Sequence, residues 1–252
     1  MAEATHAEGG FPVDPMHQFE VHAIVPIKLG ELDLSFTNAS LWMVISALAV
    51  LLFLGLSIRG RALVPGRMQS MAEMSYEMIA NMVRDNVGQE GRKYFPFIFS
   101  LFMFLLFGNL LGLIPGSFTF TSHIIVTFAL AIVIFLAVTA IGVARHGTKF
   151  LGLFFPHGAP LWTAVILVPI ELISYLSRPI SLSVRLFANM MAGHILLKVF
   201  TGFILLTGFI GVIPLTVLVG ITALEFLVAV LQAYIFTYLS VIFVQQSLHP
   251  AH

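Results

Sequence analysis

Residues 40–58, SLWMVISALAVLLFLGLSI, decide the fold class of the chain. This stretch carries no charged residue, and its length is close to the roughly 20 apolar residues that an α-helix needs to cross a bilayer. Residues 95–115 and 122–144 are two further uncharged stretches of similar length. The pattern predicts an all-α polytopic membrane protein, with a single helical membrane domain over residues 38–252.

The composition of the whole chain supports this class and excludes several others. The 252 residues are 59% hydrophobic and only 10% charged, with a mean hydropathy of +1.00, whereas soluble domains are about a quarter charged. Twelve basic residues balance twelve acidic ones, which argues against a nucleic-acid partner. There is no cysteine, no His-x-x-x-His pair, no phosphate-binding glycine loop and no Ser–His–Asp set. We therefore expect no metal, no cofactor and no ATP site on this chain, and no hydrolytic chemistry.

The basic residues predict the orientation of the chain in the membrane. Six of them follow the first span, namely Arg59, Arg61, Arg67, Arg84, Arg92 and Lys93. Arg145 and Lys149 follow the third span, whereas the 116–121 link has no basic residue. The positive-inside rule then places 59–94 and 145–158 in the cytoplasm and the polar N-terminal tail, 1–37, on the outer side. The first 27 residues hold no Lys or Arg, so they resemble neither a secretory signal nor a transit peptide.

Methionines repeat along the cytoplasmic stretch at helical spacing. Met71, Met74, Met78 and Met82 recur at i, i+3 and i+4 intervals. This periodicity predicts an amphipathic helix over about 68–90 that lies at the membrane surface. Gly108 and Gly112, in the second span, form a Gly-x-x-x-Gly pattern that permits a close helix contact but is common by chance in such sequences.

The last part of the chain is too long for simple spans. From residue 160 to about 201 there is no obvious turn, only Pro169 and Pro179. A helix of this length measures about 60 Å, twice the hydrocarbon thickness, so it tilts strongly, kinks, or is two shorter elements. A link with Gly202, Gly208 and Gly211 precedes a last apolar run over about 213–246. Five crossings fit the charges, and six would require 160–177 and 195–213 to be separate spans; composition does not choose.

Beyond residue 158 there are only five formal charges, and each is expensive in a bilayer. They are Glu171, Arg178, Arg185, Lys198 and Glu225. A charge at the centre of a bilayer costs about 2.5–3.5 kcal/mol on insertion scales. Successive members of the series Glu171, Arg178, Arg185 are seven residues apart, so all three share a face of one helix, as Glu225 and Gln232 do on the next. His194 is nine residues beyond Arg185 and falls on roughly the opposite side.

Two interpretations of these charges remain open at this point. In the structural one, Arg185 pairs with Glu225 or Glu171 and pins two helices together, while Arg178 and Lys198 reach toward the headgroups. In the functional one, the polar residues line a proton path, since histidine titrates near neutral pH. Arginine keeps its proton, so Arg185 acts on such a path only as a fixed positive charge.

Four motifs resemble subunit a of the F-type ATP synthase. They are SRPISLSVRLFANMMAGH (177–194), ALEFLVAVLQAYIFTYLSVIF (223–243), GNLLGLIP (108–115) and PMHQFEVH (15–22). The resemblance covers essentially the whole chain. It implies a stationary subunit beside a rotating ring of c subunits, with the last two helices forming a long, steeply tilted hairpin against that ring.

The resemblance also implies a role for individual residues. Arg185 matches the essential arginine that faces the carboxylate of each passing c subunit. Two half-channels flank it: Asn189, His194, Glu225 and Gln232 on the outer side, and Glu171, Arg178 and Ser181 on the cytoplasmic side. Asn109 and His123 flank the 116–121 link; they either line the outer vestibule or serve as an interhelical hydrogen bond and a headgroup-level residue, respectively.

The resemblance further implies partners and a location. The c-ring is the direct partner, and either the peripheral stalk b subunits or the ring dock on the surface helix. The soluble catalytic head is contacted only indirectly, and lipid surrounds the rest of the chain. The order His194 then Glu225 is like that of alphaproteobacterial and mitochondrial members, and the missing presequence favours a bacterial inner membrane, with the C-terminus cytoplasmic. The alternative is a proton-coupled secondary transporter with a site at a broken helix near Pro179.

Overall fold

The computed structural model describes residues 19–26, 28–29, 32–33, 35–59, 65–114, 116–147, 164–207 and 211–248. Its helices are α1 Asn38–Arg59, α2 Arg67–Val87, α3 Phe95–Gly112, α4 Ile124–His146, α5 Ala164–Thr207 and α6 Val212–Leu248, with short 3-10 helices at Gly88–Lys93 and Phe120–Ser122. Within the described residues, 5 helices are long and apolar enough to cross a membrane, namely all except α2. The predicted all-α polytopic fold is confirmed, and five crossings are favoured over six.

Short strands precede the first helix. Strand β1 (Ala23–Val25) pairs antiparallel with β4 (Phe36–Thr37), and β2 (Lys28–Leu29) pairs with β3 (Leu32–Asp33). Asn38 ties this segment to the start of α1: its Nδ2 donates to the carbonyl of Glu20 at 3.0 Å and its Oδ1 accepts from the N–H of His22 at 3.2 Å. Residues 1–18 of the predicted polar tail lie outside the described residues.

Helix α2 covers most of the amphipathic stretch predicted over 68–90, and its methionines divide between buried and exposed positions. The helix spans Arg67–Val87, and Gly88 follows it with a φ of 74°, a positive value that glycine adopts because it has no Cβ. Met82 is buried among the core residues, together with Ile79 and Val83, whereas Met74 is 70% exposed. One side of the apolar stripe therefore packs on the protein, and the other remains free to meet lipid or a partner.

Helix α5 is continuous, and this corrects two expectations. Pro169 and Pro179 both lie inside it, so the helix is not broken near Pro179. Each proline removes one backbone hydrogen bond of the helix. Membrane helices tolerate this loss because neighbouring helices and side chains can bond the backbone group that is left free. The helix also runs past the predicted link: Gly202 is buried within it, and it ends at Thr207. A glycine costs only about 1 kcal/mol in a helix interior. The apolar residues around Gly202 outweigh this cost, so the helix continues through it.

The lengths of the last two helices support the predicted hairpin. Helix α5 has 44 residues and α6 has 37, which correspond to about 66 Å and 55 Å at 1.5 Å per residue. The two helices pack against each other, and α6 also contacts α2, α3 and α4. Both helices exceed the roughly 30 Å hydrocarbon thickness, so each is longer than a perpendicular crossing needs.

Four contacts show which ends of the helices lie together. His146, at the end of α4, lies with its Nε2 3.1 Å from the carbonyl of Leu248 at the end of α6, and Ser247 donates to the carbonyl of Val138 at 2.9 Å. Arg145 pairs with Glu90, which follows α2. At the opposite end, Ala39 clusters with Phe118 and Phe120. The start of α1 and the 116–123 segment therefore lie at one end of the molecule, and the end of α6 lies at the other.

The Gly-x-x-x-Gly pattern of α3 admits side chains rather than another helix. A Cβ at Gly108 would collide with the ring of Phe120, and one at Gly112 would stand 2.7 Å from Thr119 Oγ1. Both neighbours belong to the segment that follows α3. These glycines therefore let the segment fold back closely onto the end of the helix.

We expect Gly108→Ala to destabilise the protein. The added methyl overpacks against a ring that is itself only 1% exposed, and such overpacking costs about 1–3 kcal/mol. Thermal denaturation of the purified chain measures the loss. Gly55→Ala is the matched control, because its Cβ would meet nothing within 4 Å in another apolar helix. Equal denaturation midpoints for the two variants would contradict this account.

Candidate functional site

His194 of α5 and Glu225 of α6 form a buried pair across the hairpin. Their side chains are only 10% and 4% exposed, and His194 Nδ1 lies 3.8 Å from Glu225 Oε1. Neither oxygen of Glu225 has a hydrogen-bond partner among the described residues. The neighbouring Gly193 makes room for the acid, because a Cβ there would stand 2.6 Å from Oε1. The geometry brings an acid and an imidazole together with no competing partner on the acid.

The segment between α3 and α4 closes over this pair. Thr119 Oγ1 lies 3.0 Å from His194 Nε2, so the two nitrogens of the imidazole face different elements. The ring of Phe19 approaches His194 edge-on, with the centroids 6.5 Å apart. His194 is therefore contacted by α6, by the segment after α3 and by Phe19, four residues before the first strand.

His123 lies beside the pair at the start of α4. Its ring stacks on Phe118 at 5.0 Å, and Phe19 meets it edge-on at 6.4 Å. Burial lowers the pKa of His123, so its imidazole is neutral at pH 7. Its Nε2 is buried without a hydrogen-bond partner among the described residues. His123 and His194 thus share the ring of Phe19 as a common neighbour.

Asn109 joins α3 to the same region of α6. It is fully buried, and its Nδ2 donates to the carbonyl of Ala229 at 3.1 Å, one turn beyond Glu225. The interhelical hydrogen bond considered from the sequence is therefore present. The other amide atom, Oδ1, and the hydroxyl of Thr121 are buried without partners among the described residues. Asn109 therefore makes one interhelical hydrogen bond through Nδ2 and keeps an acceptor, Oδ1, without a partner among the described residues.

Arg185 stands on a different face of α5. It is exposed, as is Ser181, whereas Asn189 is half-buried. Among the described residues Arg185 makes no ion pair, and Glu225 pairs with His194 instead. The interpretation in which Arg185 pins two helices by a salt bridge to Glu225 or Glu171 is therefore not supported.

Arg178 ties α5 to the far end of α6. Its Nη1 donates to Gln246 Oε1 at 2.5 Å, and its guanidinium lies 5.3 Å from the ring centre of Tyr175 and 5.4 Å from that of Phe243. Two turns earlier, Glu171 is half-buried. Arg178 thus packs between α5 and the C-terminal part of α6.

The structure sorts the predicted residues into separate groups. His194, Glu225, Asn109 and His123 gather around the segment after α3, and Gln232 is buried two turns beyond Glu225 on α6. Glu171 and Arg178 lie toward the opposite end. Along the axis of α5, Arg185 is about 10 Å from Arg178 and about 14 Å from His194, at 1.5 Å per residue. It stands between the two groups.

Thr119 and Phe19 contact this site and were not predicted from the sequence as site residues. The sequence signal for Thr119 is a run of polar residues, Thr119, Thr121 and Ser122, in an otherwise apolar region. The structure buries all three. Phe19 lies in the PMHQFEVH motif, where only proximity in space reveals its contact with His123 and His194.

Comparison with known proteins decides the family. A family model described as ATP synthase A chain matches residues 40–245. The chain belongs to this family. Subunit a is the proton-channel stator subunit of the F-type ATP synthase, so the function predicted from the motifs is confirmed, and the secondary-transporter alternative is not favoured.

Individual subunit a relatives match nearly the whole chain. The ATP synthase subunit a of Paramagnetospirillum magneticum is 62% identical over 243 residues, which cover 94% of this chain and 98% of the relative. That of Parvibaculum lavamentivorans is 58% identical, over 99% of this chain and 100% of the relative. That of Rhodospirillum rubrum is 57% identical, over 93% and 98%. These relatives are alphaproteobacterial, in keeping with the resemblance seen in the sequence.

Proposed function

We propose that Arg185 is the fixed positive charge that separates two proton half-channels of this stator subunit. The observation that carries the proposal is its position: exposed and without an ion pair among the described residues, between a buried His–Glu pair and a second polar group. A buried structural arginine would be paired, since an isolated buried charge is costly. An exposed arginine on a membrane helix instead awaits a partner from outside the chain.

The face around Arg185 suits a rotating helical partner. Ser181, Ala188 and Ala192 lie one turn before and one and two turns after Arg185, and all three are exposed. Small side chains let a neighbouring helix approach closely in a membrane. We assign this face to the c-ring, whose carboxylates would pass Arg185 one after another.

The buried pair forms the core of the outer half-channel. Asn189 leads from Arg185 toward His194 and Glu225, with Gln232 along α6 and Asn109 and His123 toward the surface. An acid and an imidazole that share a site without strong competing partners exchange protons readily. Glu171, Arg178 and Ser181 belong to the cytoplasmic half-channel, where Arg178 also supports the hairpin.

The proposed mechanism is electrostatic. A proton arriving through His194 and Glu225 neutralises a carboxylate of the ring, which then enters lipid without the cost of a buried charge. After nearly a full turn the carboxylate releases its proton near Glu171. Each proton that crosses 100 mV contributes about 2.3 kcal/mol, and Arg185 prevents its passage without rotation.

The remaining features suggest how the subunit sits in its complex. The N-terminal segment would lie outside and the end of α6 in the cytoplasm, since the basic stretches near Arg59, Arg92 and Arg145 gather at one end. The exposed methionines Met71 and Met74 on α2 offer a surface for the peripheral stalk b subunits. We place the complex in a bacterial inner membrane, with the catalytic head reached indirectly.

Purification of the intact complex tests this proposal. We expect the chain to co-purify from membranes with a small, very apolar hairpin subunit that carries an acid in mid-helix. In liposomes, the isolated chain should translocate few protons, and adding the ring and the other subunits should restore coupled transport. Vigorous proton-coupled transport of a solute by the isolated chain would instead support a secondary transporter.

A further inference from the structure

Thr119 has two partners that fix the direction of its hydroxyl group. The residue is 5% exposed and lies in the segment between α3 and α4. Its Oγ1 is 3.0 Å from the carbonyl oxygen of Gly112 and 3.0 Å from His194 Nε2. A carbonyl only accepts a hydrogen bond, so the single hydroxyl hydrogen of Thr119 is donated to Gly112.

The hydroxyl oxygen must then accept a hydrogen from the imidazole. With its hydrogen used, Thr119 Oγ1 offers only lone pairs to His194, and Nε2 carries the proton that fills one of them. In a neutral imidazole the other nitrogen, Nδ1, is then the acceptor. Nδ1 is the atom that faces Glu225, at 3.8 Å from Oε1. The tautomer of His194 thus follows from the partner on its far side, as it does for many functional histidines.

The surrounding backbone is built for this contact. Gly112 is the last residue of α3, where carbonyl groups lack helical partners and side-chain donors satisfy them. A Cβ on Gly112 would stand 2.7 Å from Thr119 Oγ1, so the close approach of the hydroxyl needs a glycine. The contact therefore joins the end of α3 to the middle of α5 through one hydroxyl.

We propose that Thr119 is a positioning residue that holds His194 in the tautomer with hydrogen on Nε2 and leaves Nδ1 to exchange protons with Glu225. This inference rests on the proposed outer half-channel. In the step, the carboxylic acid of Glu225 gives its proton to Nδ1, which yields a carboxylate and an imidazolium that still donates Nε2–H to Thr119. The reverse transfer, from Nδ1–H to Oε1 of the carboxylate, restores the neutral ring and the carboxylic acid, so the pair can pass a proton in either direction. A closure of about 1 Å brings Nδ1 and Oε1 within hydrogen-bond distance.

Thr119→Val in the assembled complex tests this role, because it keeps the shape and removes the hydroxyl. We expect ATP synthesis in membrane vesicles to fall roughly tenfold, as is typical when a partner that orients a functional histidine is lost. Thr119→Ser keeps the hydroxyl and should restore most of the activity. Thr127→Val is the matched control, since Thr127 is fully buried and, among the described residues, its hydroxyl bonds only to the carbonyls of His123 and Ile124.

A double-mutant cycle separates positioning from a merely structural effect. In a His194→Ala background, Thr119→Val should change the residual ATP-driven proton pumping less than twofold, since its route of action is gone. An equal fold-loss in both backgrounds, or no rescue by serine, would overturn the inference, as would wild-type synthesis in Thr119→Val. If Arg185→Ala abolishes coupling while Thr119→Val is silent, this inference fails alone; if Arg185→Ala retains coupling, the proposed function fails.

Discussion

Arg185→Ala abolishes coupled ATP synthesis on this account, while the subunit still assembles in the membrane. The side chain is exposed and makes no ion pair among the described residues, so its loss leaves no orphaned internal partner. We expect ATP synthesis to fall roughly a hundredfold or more. A proton that crosses 100 mV releases about 2.3 kcal/mol, and a proton that bypasses the ring does not deliver this energy to rotation. ATP synthesis driven by an imposed proton gradient in vesicles measures the effect.

Arg185→Lys is the sharper companion to this variant. It keeps the positive charge but replaces the planar, weakly hydrated guanidinium by a compact, strongly hydrated ammonium. We expect it to fail nearly as badly as alanine. Val184→Ala, at the residue beside Arg185 and 41% exposed, controls for disturbance of the surface and should retain most activity. Normal synthesis in either arginine variant, with normal amounts of subunit in the membrane, would contradict the barrier role.

Exchanging the buried pair, His194→Glu together with Glu225→His, should restore activity that each single change loses. Either single variant places two like groups where an acid and an imidazole now stand 3.8 Å apart, and two carboxylates that close resist ionising together. We expect each single variant to lose roughly tenfold in ATP synthesis and the double variant to recover several-fold, as coupled neighbours do. ATP synthesis in vesicles, normalised to subunit content, is the measurement.

The double-mutant result discriminates between two kinds of site. If His194 and Glu225 form one titrating unit, the loss in the double variant is smaller than the product of the single losses. Independent roles predict that the losses multiply. A double variant worse than both single variants would show that position, rather than the pair, determines function, and the outer half-channel would need another acid.

Much of the fold could be predicted from the sequence because lipid imposes simple length and charge rules. The uncharged stretches near 40–58 and 122–144 became α1 and α4 within a few residues. The course of α5 was harder to predict. Pro169, Pro179 and Gly202 are turn signals in water, yet all three lie inside one helix, because in a membrane the apolar flanks outweigh their local cost.

The contacts of the site were only partly predictable. Helical spacing placed Glu225 and Gln232 on one face, and both are buried on α6. Spacing along α5 also set His194 apart from Arg185. It gave no information about Thr119 or Phe19, which reach His194 from segments distant in the sequence. Such long-range contacts depend on how distant segments fold back onto the helices. A glycine such as Gly112, which permits the close approach, is the local sequence signal for this contact.

The central claim is that the Arg185 face of α5 meets the rotating ring, and cysteine cross-linking tests it most directly. The chain has no cysteine, so a single one can be introduced at will. Ala188→Cys is on the exposed Arg185 face, and Ser183→Cys is the control because Ser183 is only 1% exposed. Each variant is combined with a c subunit that carries one cysteine a helical turn from its carboxylate, and the complex is treated with an oxidant. A disulfide forms only where the two Cα atoms come within about 7 Å.

The account predicts a disulfide to the c subunit from position 188 and none from position 183. The cross-link should stop ATP synthesis, and reduction should restore it. No cross-link from position 188 in an assembled, active complex, or equal cross-linking from both positions, would contradict the account.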